Sequence, residues 1–164
     1  MANTSLGMTL GSAGLKLIQD FETFQAHLYD TDGGGHCTIG WGHLVHPGKC
    51  DGKENEKIFQ KGITQNEGDS LLTKDTKTAE DAVNTKVGAL GATLTQNQFD
   101  ALVSFTYNVG MGNLANVLAA CTGKDGKLDL SKVPDKMKLY DKSSGKILAG
   151  LTRRRSRETE LFNK

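Results

Sequence analysis

The sequence predicts an α+β fold that is mainly α, in a single domain spanning 1–164. Three observations carry that expectation. Apolar residues recur at helical spacing in several stretches, two threonine-led signatures mark helix starts, and one glycine-centred stretch alternates as a β-hairpin does. With 37% of its 164 residues hydrophobic, the chain is long enough to bury one core without metals or bridges.

The first element is a helix placed from Ser12 to Phe24, because Leu15, Leu17, Ile18 and Phe21 recur at roughly helical spacing. Glu22 then falls in its last turn or just beyond. Next, "AHLY" and "CTIGWG" flank Gly33-Gly34-Gly35 and read as a hairpin. A turn centred near Gly35 sets Asp32 opposite Thr38 and Asp30 opposite Gly40. The following "VHPGKCDGKENEK" reads as loop.

Thr64-Gln-Asn-Glu67 and Thr95-Gln-Asn-Gln98 are both capping boxes, so two helices start at known places. The first helix carries Leu72, Ala79, Val83 and Val87 on one face. The second carries Phe99, Leu102, Val103 and Val109, and Gly110 and Gly112 end it. Residues 123–146 are rich in lysine and turn formers, which suits an exposed connection with a short helix. A final helix runs from about Thr152 through Phe162.

Lys and Arg total 20 against 19 Asp and Glu, so a net charge of +1 gives no global pull toward nucleic acid or membrane. The first twenty residues lack a basic start followed by an apolar run, and nothing approaches the roughly 18 apolar residues of a spanning helix. No signal peptide and no membrane anchor are therefore expected. Of Cys37, Cys50 and Cys121, at most two pair within the chain; Cys37 and Cys50 flank one loop, and spacing does not decide whether they bridge.

Glu22, Asp30, Asp32 and Thr38 stand around a run of bare backbone. Two carboxylates in different environments are the equipment for hydrolysing a glycosidic bond, one donating a proton to the leaving oxygen, the other activating water. The competing reading makes both aspartates turn residues and Glu22 a helix-surface charge. Asp30-x-Asp32-Gly fails as a calcium loop, because Gly34 and Trp41 occupy its fifth and twelfth positions. Cys37, His43, His46 and Cys50 are of zinc-ligating type, but their spacing matches no common zinc finger. Arg153, Arg154, Arg155 and Arg157 read as a solvated face with an Arg154–Glu158 pair of small value, as a grip for an anionic polymer, or as one arginine turned inward.

Glu22, Tyr29, the Asp/Gly turn and "TIGWGH", followed by "QFDALVSFTYNVGMGN" and "GLTRRRSRETELF", together resemble the phage-type lysozymes, the endolysin family of peptidoglycan muramidases. The likeness runs from about Leu15 to Phe162. It implies a lysozyme-like two-lobed fold: a small hairpin-containing lobe at about 22–63, a connecting helix at about 64–87, and a larger helical lobe at about 88–164 together with the N-terminal helix. It also implies cleavage of the β-1,4 bond between N-acetylmuramic acid and N-acetylglucosamine by a bacteriolytic, metal-independent hydrolase without cofactor.

In that family pattern Glu22 is the general acid, and Thr38 with an aspartate orients the attacking water. Counting back six from Thr38 gives Asp32, counting forward two from Tyr29 gives Thr31, and hairpin parity favours Asp32 over Asp30. The resemblance places Arg154, or Arg155, beside the glutamate, and Gln98, Tyr107 and Asn108 toward the glycan. The implied partner is bacterial peptidoglycan. A monomer is expected, made in the cytoplasm and acting in the periplasm or wall after release through a pore or by injection. The alternatives are a catalytically silent glycan-binding module of the same fold and a lytic transglycosylase.

Overall fold

The computed structural model describes residues 5–31 and 35–164. Its main helices are α1 (Ser12–Phe21), α2 (Gln65–Ala89), α3 (Gln96–Val109), α4 (Met111–Ala120), α5 (Val133–Met137) and α6 (Ala149–Phe162). Strands β1 (Gln25–Tyr29), β2 (Cys37–Gly40) and β3 (His43–His46) form one antiparallel sheet in that order, and the two-residue strands β4 (Lys142–Ser143) and β5 (Lys146–Ile147) form a small hairpin. The chain packs as two compact units: Gln19–Lys77, and the residues up to Ile18 together with Thr78–Lys164. It passes from one to the other inside α1 and inside α2. Among the described residues no helix is long and apolar enough to cross a membrane.

In the smaller unit α1 stops at Phe21, so Glu22 lies just past the helix end. Both capping boxes form. The Thr64 amide donates to Glu67 Oε2 at 2.7 Å while the Glu67 amide donates to Thr64 Oγ1 at 3.2 Å. Thr95 and Gln98 repeat the exchange at the start of α3, in the larger unit.

The sheet departs from expectation in two ways. Thr38 opposes Tyr29 and Gly40 opposes Gln25, with a bulge between, so Asp30 is not set opposite Gly40; Asp32, expected opposite Thr38, lies outside the described residues. The irregularity lies between Gln25 and Tyr29, within β1 itself. Second, part of the segment read as loop is β3, paired to β2 by Thr38 opposite Leu44 and Ile39 opposite His43. Gly40 and Gly42 adopt φ of +68° and +82° around Trp41, a reversal that side chains with a Cβ disfavour.

The larger unit is built on α3, buried without interruption from Phe99 to Thr106. Gly110 ends this helix, but Gly112 does not act as a stop, because α4 begins at once at Met111 and contains it. Residues 123–146 hold the short helix expected there, together with a 3-10 turn at Leu130–Lys132 and most of the β4–β5 hairpin. The arginine run on α6 is not a uniformly solvated face: Arg153 and Arg157 are exposed, whereas Arg154 and Arg155 are buried.

The amides at the start of α1 are met from α3. Asp100, 1% exposed on α3, accepts from the Gly11 amide at 2.9 Å, the Gly14 amide at 3.1 Å and the Gln96 side-chain amide at 2.8 Å. A carboxylate against a helix N-terminus also meets the positive end of the peptide dipoles. Asp100→Ala removes the acceptor of the Gly11 and Gly14 amides, the latter buried, and is expected to cost about 2–3 kcal/mol, measured by urea denaturation.

Candidate functional site

The smaller unit carries the candidate acid. Glu22 is half-buried, directly after α1, and its carboxylate lies against the β2–β3 turn: a β-carbon on Gly42 would stand 3.0 Å from Glu22 Oε2. Bare backbone at Gly42 is thus what admits the carboxylate. Around it, Asp69 Oδ1 on α2 accepts the Trp41 indole N–H at 2.8 Å and the Gln19 side-chain amide at 2.9 Å. Phe24 and Trp41 pack with ring centroids 5.2 Å apart. Gly68 permits this, since a β-carbon there would come within 2.6 Å of Phe24 Cε2.

Thr38 is buried in the centre of β2, and its hydroxyl donates to the His36 carbonyl at 2.8 Å. With its proton committed, Oγ1 is left to accept, the property needed to orient a water molecule. Asp30 is engaged by the Cys50 amide. Asp32 lies outside the described residues. The register observed in β1–β2 removes the parity reason for preferring Asp32, and the count of six back from Thr38 remains.

A disulfide joins Cys37, the residue before Thr38, to Cys50. The loop it closes is stitched to both ends of the β1–β2 connection. The Cys50 amide reaches Asp30, the Gly48 amide donates to His36 Nδ1 at 3.0 Å, and the Cys37 amide donates to the Gly48 carbonyl at 2.8 Å. The four zinc-type residues therefore do not gather as ligands. Both cysteines are spent on each other, His43 Nδ1 sits 2.9 Å from Asp75 Oδ2, and His46 Nε2 sits 2.6 Å from Glu56 Oε1.

The His46–Glu56 pair is buried and ionic. Both ring nitrogens face oxygens, Nδ1 lying 2.9 Å from the Pro47 carbonyl, an arrangement that favours the doubly protonated ring. The Pro47 carbonyl and the Glu56 carboxylate hold His46 above its ordinary value. His46, helped by the Asp51 and Gly52 amides, each at 2.8 Å, holds Glu56 below its own against the effect of burial.

In the larger unit the remaining candidates form a buried charge cluster. Glu158 is fully buried and meets Arg155 Nε at 2.8 Å, Arg154 Nε at 3.2 Å and the Ser104 hydroxyl at 2.8 Å. Burial pushes its carboxyl upward while the two guanidiniums oppose. Burial also draws the Arg155 value down. Arg155 donates to Asn108 Oδ1 at 2.7 Å and lies 5.0 Å over the Phe105 ring. Arg154 reaches the Ser104 carbonyl at 3.3 Å. The Gln98 side chain is occupied in capping α3, as its place in the box implies.

Spacing rules did not single out Asp69, Asp75 or Glu56. Their partners lie 28, 32 and 10 residues away, beyond any local motif. Glu158 was visible only as one half of a helical pair with Arg154, and its second arginine was not.

The family model described as phage lysozyme matches residues 19–158. The chain is 35% identical over 157 residues to an endolysin of Bacillus phage PZA, a match covering 95% of this chain and 55% of that protein. This chain thus spans little more than half the length of that relative. It is 33% identical over 157 residues to the endolysin of Salmonella phage P22, covering 94% of this chain and 98% of that one. The muramidase domain of SpmX from Asticaccaulis excentricus superposes with a TM-score of 0.72 at 30% identity, over 95% of this chain and 98% of that one.

Two outcomes follow for the loop beside Thr38. The His46 contribution to stability is whole below 6.5 and lost as pH rises through its raised value, and the Glu56 contribution is whole above 4.5 and lost as pH falls through its lowered value. The thermal-stability advantage of wild type over Glu56→Gln is therefore expected to peak between pH 4.5 and 6.5 and shrink on either side. Reducing the Cys37–Cys50 bridge, whose sequence separation is 13, is expected to cost roughly 3 kcal/mol, read from urea midpoints with and without reductant.

Proposed function

The chain belongs to the phage lysozyme family, and from that premise we propose that it is a peptidoglycan muramidase that hydrolyses the β-1,4 bond from N-acetylmuramic acid to N-acetylglucosamine. The observation that carries this reading is the seating of the Glu22 carboxylate, just past α1, against bare backbone at Gly42, at the end of the strand that holds Thr38. Glu22 acts as general acid, giving its proton to the glycosidic oxygen as the bond to the anomeric carbon breaks. A water held by Thr38 Oγ1 and the Asp32 carboxylate attacks from the opposite face. One displacement inverts the anomeric configuration, which goes with carboxyl groups roughly 6.5–9.5 Å apart.

Arg154, Asn108 and Gln98 take supporting parts and no chemical step. The partner is bacterial peptidoglycan, met by a monomer in the periplasm or wall.

A turbidity assay on purified cell walls, with mass spectrometry of the products, tests this reading. Wild type is expected to clear the walls and leave reducing N-acetylmuramic acid ends, and Glu22→Gln to lower the rate by about 10²–10⁴-fold. Binding without clearing would overturn it in favour of a silent glycan-binding module, and anhydro-sugar ends in favour of a transglycosylase.

A further inference from the structure

We propose that Asp69, a residue outside the family-type triad of Glu22, Asp32 and Thr38, is a positioning residue that fixes the place of the Glu22 carboxylate. This role presupposes the reading of Glu22 as the acid. Glu22 follows directly on the last turn of α1, so its place depends on how that turn is held. Two pieces of backbone frame it: the end of α1 behind it, and the Trp41-Gly42 turn on which its Oε2 rests. A single oxygen of Asp69 fastens both. Oδ1 takes the amide of Gln19, three residues ahead of Glu22, at 2.9 Å, and the indole N–H of Trp41, next to Gly42, at 2.8 Å.

The residue beside Asp69 reinforces the bracket. At Gly68 the α2 backbone lets Phe24, two residues past Glu22, settle against Trp41. Glu22 is thus tied ahead through Gln19 and behind through Phe24 to the same corner of α2. Both hydrogen bonds are accepted by a carboxylate at a partly buried site, the stronger kind. A bracket of this form sets where the proton donor sits without touching substrate. Its loss should therefore lower kcat and leave KM in place, because displacement of a reacting group by about 1 Å costs up to about a hundredfold.

Trp41 is the only tryptophan in the chain, so its indole N–H gives a single, assignable resonance. In wild type that proton is expected to be protected from exchange, and in Asp69→Leu to lose protection. On a soluble oligosaccharide of alternating N-acetylmuramic acid and N-acetylglucosamine, Asp69→Leu and Trp41→Phe are each expected to lower kcat by between about tenfold and a hundredfold at unchanged KM. The double variant should be no worse than the poorer single one. Asp69→Asn keeps an Oδ1 acceptor and should restore most of the rate, which a purely electrostatic role for Asp69 would not allow. An unprotected indole N–H in wild type, full kcat in Trp41→Phe, or additive losses in the double variant would overturn the bracket while wild type remains active. An inactive wild type, or full activity in Glu22→Gln, would instead remove the reading on which it rests.

Discussion

A ten-residue helix does not hold itself together in water, and α1 is ten residues long. Its persistence depends on groups that reach it from far along the chain. At the front, one carboxylate of α3 takes the amides of Gly11 and Gly14, across 89 and 86 residues of sequence. At the back, one carboxylate of α2 takes the Gln19 side chain across 50. The proposed proton donor follows the end of the helix that Asp69 holds, and for so short a helix its own propensity matters less than its fastenings.

What the sequence made legible and what it hid divide along one physical line. Features closed within a few residues were readable: the Thr64 and Thr95 caps, the start of α2, and the short helix among the lysines of 123–146, whereas α1 ends at Phe21, three residues short of the expected Phe24. Features closed by distant partners were not. The hairpin register carries an irregularity between Gln25 and Tyr29, which alternation cannot see. β3 was hidden because its pairing needs the glycine-permitted reversal around Trp41, and "HLVH" alone is too short to announce a strand. The catalytic candidates themselves came from family likeness, since a glutamate after a helix and aspartates in a turn have ordinary structural uses.

The α6 arginines teach the same lesson with charge. Four arginines in five positions look like a wet face, yet two of them enclose a glutamate that no water reaches. Burying three charges is costly, and replacing such a group by well-packed apolar residues is often neutral or better for stability. Its retention here goes with a fixed seam: Glu158 takes Ser104 of α3, Arg155 takes Asn108 of α3, and the ring of Phe105 lies beneath the guanidinium. Each of these contacts has one geometry, so α3 and α6 have one way to meet. Sequence spacing showed the i,i+4 pair but not that the helix turns it inward.

The segment between Pro47 and Lys53 is mostly exposed and rich in glycine and charge, the composition at which proteases cut. Most of it lies inside the ring closed by Cys37 and Cys50. A backbone scission within that ring leaves the two fragments covalently joined through sulfur, with β2 on one side and its neighbour still attached. A molecule nicked there would keep its parts at intramolecular concentration, which an unbridged chain would not.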